Sequence, residues 1–175
     1  MGVILITTNK CLKEWNATIE ALGQGKQTIL IRSYRTSLEG FLLYPSVSYA
    51  REDSYLEGFQ SKYQGFVEKN ALPIKKDDKF PIKYYVSVEK IVEMSPSAIG
   101  GLKNKYIWTS EHVRNYLKGK NAQIWVLRVY KLKKQYFDKP IKGVIKYANL
   151  KEEVSLEGME PVLSDSEFSK ISEKL

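Results

Sequence analysis

Hydrophobic and polar positions along the chain fall into short segments of two different periods. Residues 3–7 (VILIT) form a continuous apolar run that predicts a buried strand. Thr8-Asn9 then offers caps for a helix. Within that helix Leu12, Trp15, Ile19 and Leu22 recur at spacings of three, four and three, which is one amphipathic face. Gly23 and Gly25 end it, because the residue past a helix end often takes a positive φ. Residues 27–32 (QTILIR) predict the second strand, and residues 41–44 a third that Pro45 stops. Ser54-x-x-Glu57 is a capping box, followed by Leu56, Phe59, Tyr63 and Phe66 at helical spacing. Residues 82–92 are β-rich, and residues 95–104, with Pro96, Gly100 and Gly101, read as a loop. A helix opens at Thr109 or Ser110 and runs through His112, Val113, Tyr116 and Leu117 to Gly119. Residues 122–132 are apolar at nearly every early position, the pattern of a strand covered on both faces. Residues 143–149 and 154–156 read as a hairpin-like region. A second capping box, Ser164-x-x-Glu167, then starts a short terminal helix that docks through Phe168, Ile171 and Leu175.

The resulting order is β-α-β-β-α-β-α-β-β-α. Its helix–strand alternation is too irregular for a doubly wound parallel sheet. The expected fold is α+β, a small curved mixed β-barrel with peripheral helices. Residues 1–175 form one domain in this reading, with residues 150–175 as an acidic C-terminal segment ending in the docked helix.

Composition narrows the chemistry. With 175 residues, 43% hydrophobic and 27% charged, the chain is long enough for one core and too apolar for wholesale disorder. A single cysteine, Cys11, excludes a disulfide framework and a cysteine zinc cage, and a single histidine, His112, excludes a multi-histidine metal site. Neither a metal nor another cofactor is expected. No apolar run approaches the ~18 residues of a membrane span, and no charged region precedes the short N-terminal apolar stretch, so a cytoplasmic protein without membrane contact is expected. The net charge is +8 and unevenly spread. Residues 150–175 hold three basic against seven acidic side chains, and the remainder holds 25 against 13. So basic a body attracts polyanions, of which nucleic acid is the commonest.

Gly23-Gln24-Gly25-Lys26 follows a helix and precedes a strand, the reverse of a phosphate-binding loop, and is read as a helix stop. His112 forms a nucleophilic dyad with Cys11 or a serine only if the fold brings them together. A metal-dependent nuclease needs clustered carboxylates, and Glu14, Glu20 and Glu89 show no diagnostic spacing. The catalytic candidates are Lys13 or Lys26 acting with Glu14 or Glu20, as in a small hydrolase or nuclease working on nucleosides or nucleic acid. The more suggestive set is basic and aromatic. Lys13, Arg32, Arg35, Lys105, His112 and Arg128 would hold phosphates, while Trp15, Tyr44 or Trp108, with Thr109 beside it, would stack a base. Arg128 sits inside the most apolar strand and needs an anionic or carbonyl partner: Glu14 or Glu20 as a structural pair, or a phosphate or carboxylate ligand. This reading predicts a nucleic-acid-binding module, with RNA or a modified nucleotide favoured. A protein-interaction module, its acidic tail covering the basic face, is a further alternative. The oligomeric state is left open.

Several stretches carry a resemblance. Lys13-Glu14-Trp15, Glu20-Ala21-Leu22 with Gly25, Ile29-Leu30-Ile31-Arg32, Phe41-Leu42-Leu43-Tyr44-Pro45, Ile107-Trp108-Thr109, Val126-Leu127-Arg128-Val129-Tyr130-Lys131-Leu132 and Pro161-Val162-Leu163-Ser164-Asp165 with Phe168 occur in one order. That order resembles the bacterial and archaeal domain-of-unknown-function family 1802. Where the family has Thr and then His after the Tyr-Pro step, this chain has Ser46-Val47-Ser48, and Tyr106 stands where the family has a histidine before Ile-Trp-Thr. More widely, the chain resembles the PUA-like superfamily with its ASCH and EVE domains. That resemblance implies a small curved barrel binding RNA or modified bases in a cleft. An ASCH signature has glutamate two residues before the arginine, where this chain has Leu30, so the amidohydrolase chemistry of some ASCH members does not carry over.

Overall fold

In the computed structural model, which describes residues 6–141 and 146–175, strand β1 spans Thr7–Trp15, and helix α1 begins only at Asn16 and ends at Gly23. The expected helix from Thr8-Asn9 is therefore half strand, and Lys13, Glu14 and Trp15 are strand residues. Alternation explains the change. Cys11 enters one apolar cluster and Leu12 the other, as successive side chains of a strand do. β3 (Gly40–Ser46) repeats this, with Phe41 and Leu43 in the larger cluster and Leu42 and Tyr44 in the smaller. β1 pairs in parallel with β3 and antiparallel with β6 (Tyr147–Ser155), so both of its edges are hydrogen-bonded. The helix-like spacing of Leu12, Trp15, Ile19 and Leu22 straddles the strand–helix joint. The expected strand over residues 3–7 and the start of the hairpin at residue 143 lie mainly outside the described residues.

The remaining strands are β2 (Ile29–Arg32), β4 (Phe80–Met94), β5 (Ala122–Asp138) and β7 (Glu160–Pro161). They form one seven-stranded mixed sheet in the order β2-β5-β4-β3-β1-β6, with β7 paired to β5. Among the described residues no ladder joins β2 to β6, so the sheet is not closed into the expected barrel. β4 and β5 are long and antiparallel, and their register shifts between Ile82 and Tyr84 and between Val88 and Lys90. Such irregularities bend a strand and raise its twist. β3 continues through Pro45 to Ser46, where a stop was expected. Its ladder with β4 ends at Leu42, so Pro45 lies where that neighbour has left and a missing N–H is tolerated.

Three helices follow α1: α2 (Gln64–Lys69), α3 (Ser110–Leu117) and α4 (Asp165–Ser172). α3 opens as expected, with the Thr109 hydroxyl accepting from the His112 N–H. α4 carries the expected Ser164/Glu167 capping box and buries Phe168 in the larger cluster. The helix expected after Ser54 forms only at its end, where α2 takes in Phe66. Ser48–Arg51, Tyr55–Gly58 and Ser61–Tyr63 make short 3₁₀ turns instead, and the Ser54 side chain caps nothing. The cause is a long-range contact: Phe59 bridges Trp108, the Thr109 N–H donates to the Gly58 carbonyl, and the Gln60 N–H donates to the Ile107 carbonyl. A side chain at Gly58 would also meet the His112 ring at 2.9 Å. Phe59 and Gln60 are thus held extended against the entrance to α3, with Gly58 beside them. At the other glycine turn Gly25 takes φ +75°, as a helix stop requires. No helix among the described residues is long and apolar enough to cross a membrane.

Candidate functional site

The parallel β1–β3 ladder runs to its C-terminal end at Glu14–Pro45 and Trp15–Ser46, and a cleft of about 300 Å³ opens there. β1 contributes Lys13, Glu14 and Trp15; the end of β2 contributes Ile31 and Arg32, followed by Tyr34. Ser46 is the last residue of β3, and Ser48 opens the turn that follows it. Trp108 and the first two turns of α3, through His112, Val113 and Tyr116, close the far wall, and Lys146 lies at the rim. The volume sits at the low end of small-ligand sites.

Its electrostatics centre on Glu14 and Arg32. Glu14 is 6% exposed, accepts the Trp15 N–H at 2.9 Å on one oxygen, and pairs with Arg32 through the other. Arg32 also donates to the Ile31 carbonyl at 3.2 Å. Burial alone would lower its pKa, but the Glu14 carboxylate more than offsets this and holds it above its usual range. Lys13 donates to the Ile141 carbonyl at 2.9 Å, and burial lowers its pKa from the ordinary lysine value. The Lys146 ammonium lies 3.9 Å from the centre of the Tyr34 ring, a close cation–π contact, and burial raises the Tyr34 pKa. Two lysines and an arginine thus face one carboxylate.

The rings differ in availability. Trp15 stacks on Tyr49 at 4.7 Å and 8°, so one of its faces is already covered. Trp108 is 5% exposed, and its indole N–H has no partner among the described residues. Tyr116 is 42% exposed and contacts the chain through its hydroxyl, which accepts the Ser33 N–H at 3.3 Å. The His112 ring lies 5.4 Å from the Trp15 ring.

Of the residues singled out from the sequence, the fold gathers Lys13, Glu14, Trp15, Arg32, Trp108 and His112 in this cleft, and Thr109 stands beside it as the α3 cap. The others lie elsewhere. Arg35 donates to the Gln123 side chain at 3.2 Å. Tyr44 is fully buried in the smaller cluster, its hydroxyl donating to the Lys139 carbonyl. Lys105 ends the 3₁₀ segment Pro96–Lys105, and Lys26 is exposed over the Phe66 ring. Glu20 pairs with Lys83 at 2.5 Å and accepts from Tyr84 at 3.2 Å.

The expected partner of Arg128 is corrected. It is neither Glu14 nor Glu20: the guanidinium donates to the Leu163 carbonyl at 2.9 Å and to Asp165 at 2.8 Å, between the Phe168 and Tyr130 rings. The Val162 N–H bonds to the Val129 carbonyl, laying the entry of α4 along β5 and bringing Asp165 over Arg128. Asp165 is 96% exposed, so this pair adds little stability. Sequence reasoning missed Tyr34, Ser46, Ser48, Tyr116 and Lys146 as cleft residues. What they share is a position at or next to a strand end or on α3, which only the assembled sheet brings to one place.

His112 gives a pH prediction. Burial lowers its pKa below the ordinary 6.5, with the Glu14 charge opposing the shift. The unfolded chain then binds the proton more readily, so this group's contribution to stability is complete above pH 6.5 and is lost as the pH falls through the lowered folded value. As the single histidine, its ring can be followed by NMR without assignment ambiguity. A midpoint below 6.5 is expected, together with an acid-side fall in urea stability that His112→Gln removes. A midpoint at or above 6.5 contradicts the burial.

The sequence profile of the family described as "Domain of unknown function (DUF1802)" matches residues 11–174. The chain belongs to the DUF1802 family. The match spans every element of this DUF1802 fold apart from the start of β1. Among solved structures, a serine-to-alanine variant of ZmASCH from Zymomonas mobilis is similar with a TM-score of 0.50 and 11% identity, covering 98% of this chain and 99% of that one. The ASCH protein of the same organism gives 0.49 and 11%, covering 94% and 93%. At such identity the first likeness speaks for an ASCH-like fold and nothing more. No curated protein matches the chain.

Proposed function

We propose that this DUF1802 chain is a nucleic-acid-binding module whose cleft receives one base of an RNA or a modified nucleotide. The observation that supports this most is the meeting of rings and cations in one concavity: Trp15, Tyr34, Trp108 and Tyr116 with Lys13, Arg32 and Lys146. In this reading Tyr116, the most exposed ring, stacks on the base, because every base has a π-face. Lys13 and Lys146 face the phosphates, and the Ser46 and Ser48 hydroxyls offer hydrogen bonds to base edges or a 2′-OH. Glu14 fixes the orientation of Arg32 and reduces its net charge, so Arg32 serves the shape of the wall more than raw attraction.

The hydrolase reading draws less support. Lys13 and Glu14 do share the cleft, but both Glu14 oxygens already accept hydrogen bonds, which leaves that carboxylate poorly placed as a general base. Lys26 and Glu20 lie away from it.

Binding of single-stranded and duplex RNA and DNA across a salt series tests the proposal. Single-stranded RNA should bind most tightly, with log affinity falling linearly against log salt. No binding at low salt, or binding indifferent to salt, ends the idea.

A further inference from the structure

A second cleft, of about 370 Å³, lies on the other side of the same ladder end. Asn16 follows Trp15 and Pro45 precedes Ser46, so consecutive residues line different clefts. Successive side chains at a strand end point to opposite faces, so one stretch of backbone serves both clefts. Four lysines, Lys69, Lys75, Lys76 and Lys83, line the second cleft against one carboxylate, Glu20, which Lys83 already neutralises at 2.5 Å. Lys75 and Lys76 lie over the Phe80 and Phe137 rings at 5.5 and 5.6 Å, with both side chains solvent-exposed. Asp77 and Asp78, at the tip of the Lys76–Lys79 bridge, do not line it. Leu72 and Ile74 also line it and are 61% and 88% exposed, which leaves apolar surface beside the cations.

We infer that this second cleft takes the phosphodiester backbone of the single-stranded RNA whose base occupies the first, so that the ligand is an oligonucleotide and not a lone nucleotide. The inference rests on the base-binding reading above. Lysine ammoniums are compact point charges suited to phosphates, and the exposed apolar residues beside them offer a face to a neighbouring base. Both clefts meet the same end of the β1–β3 ladder, where Trp15–Asn16 and Pro45–Ser46 are neighbours in the chain, and a strand passing round that end reaches both, which favours one polymer over a separate acidic peptide.

The test compares the full chain with its Lys69→Gln/Lys75→Gln/Lys76→Gln variant, in which all three replaced side chains are exposed. The probes are a labelled uridine trinucleotide, a uridine decanucleotide and an oligoglutamate peptide. The variant should bind the decanucleotide about ten-fold or more weakly at low salt, with the log–log salt slope shallower by roughly 2, about 0.7 for each lost phosphate contact. Trinucleotide binding should be unchanged. Decanucleotide binding with unaltered affinity and slope overturns this inference and leaves the base-binding reading standing. Loss of oligoglutamate binding with the decanucleotide unaffected overturns it in favour of a protein-docking surface. Failure of the unmodified chain to bind either oligonucleotide overturns both readings at once.

Discussion

Replacing Glu14 with alanine is expected to destabilise the protein by about 3–5 kcal/mol, because it strands a charged guanidinium in a largely closed wall. Arg32 is 14% exposed on its side chain and Glu14 6%, so solvent recovers little of the lost partner. The Trp15 N–H loses its acceptor as well. Urea denaturation measures the effect. The double variant Glu14→Ala/Arg32→Met should recover a large part of the loss, since removing both charges is far less costly than removing one. A single variant within about 1 kcal/mol of the parent would mean that Arg32 finds water or another anion, and that the pair does not organise the cleft.

Tyr116→Ala carries the largest expected effect on binding. The ring is 42% exposed and outside the buried clusters, so stability should change little. Loss of one base–aromatic stack costs about 1–3 kcal/mol, or roughly 5- to 150-fold in affinity for single-stranded RNA. Tyr116→Phe keeps the ring and should keep the affinity, which separates stacking from the Ser33 hydrogen bond. Unchanged affinity in the alanine variant contradicts the proposed role of α3.

Much of this arrangement is legible in the chain, and what is not has definite physical causes. β2 and β5 announce themselves as short and long apolar runs and lie within the expected regions, although β2 starts at Ile29 and β5 runs six residues further, to Asp138. α3 and α4 are marked by caps whose hydrogen bonds are present. These signals are local, made by residues close together in the chain. β1 is different. Nothing within residues 7–15 reveals that two distant strands will pair with it, and its apolar residues fit a helix equally well until β3 and β6 arrive. The Ser54 box fails for the same reason, since the competing partner of residues 58–60 lies some 50 residues away at Ile107 and Thr109. In the site, Glu14, Trp15 and Arg32 stand out from sequence because charged and aromatic residues interrupt apolar runs. Tyr34, Ser46 and Lys146 do not, because each is an ordinary loop residue or strand flank until the sheet stacks those ends together. Arg128 was legible as a buried cation, but its partner came from α4, 37 residues further on.

The central claim is that a base enters the cleft at the end of the β1–β3 ladder. Photocrosslinking with a single-stranded RNA carrying one 4-thiouridine, followed by peptide mapping, tests it most directly. The account predicts that the crosslinked peptides contain Tyr116, Tyr34, Trp108 or Trp15. Crosslinks confined to exposed lysine-bearing surfaces away from it, such as those around Lys62, Lys103 or Lys131, would contradict it.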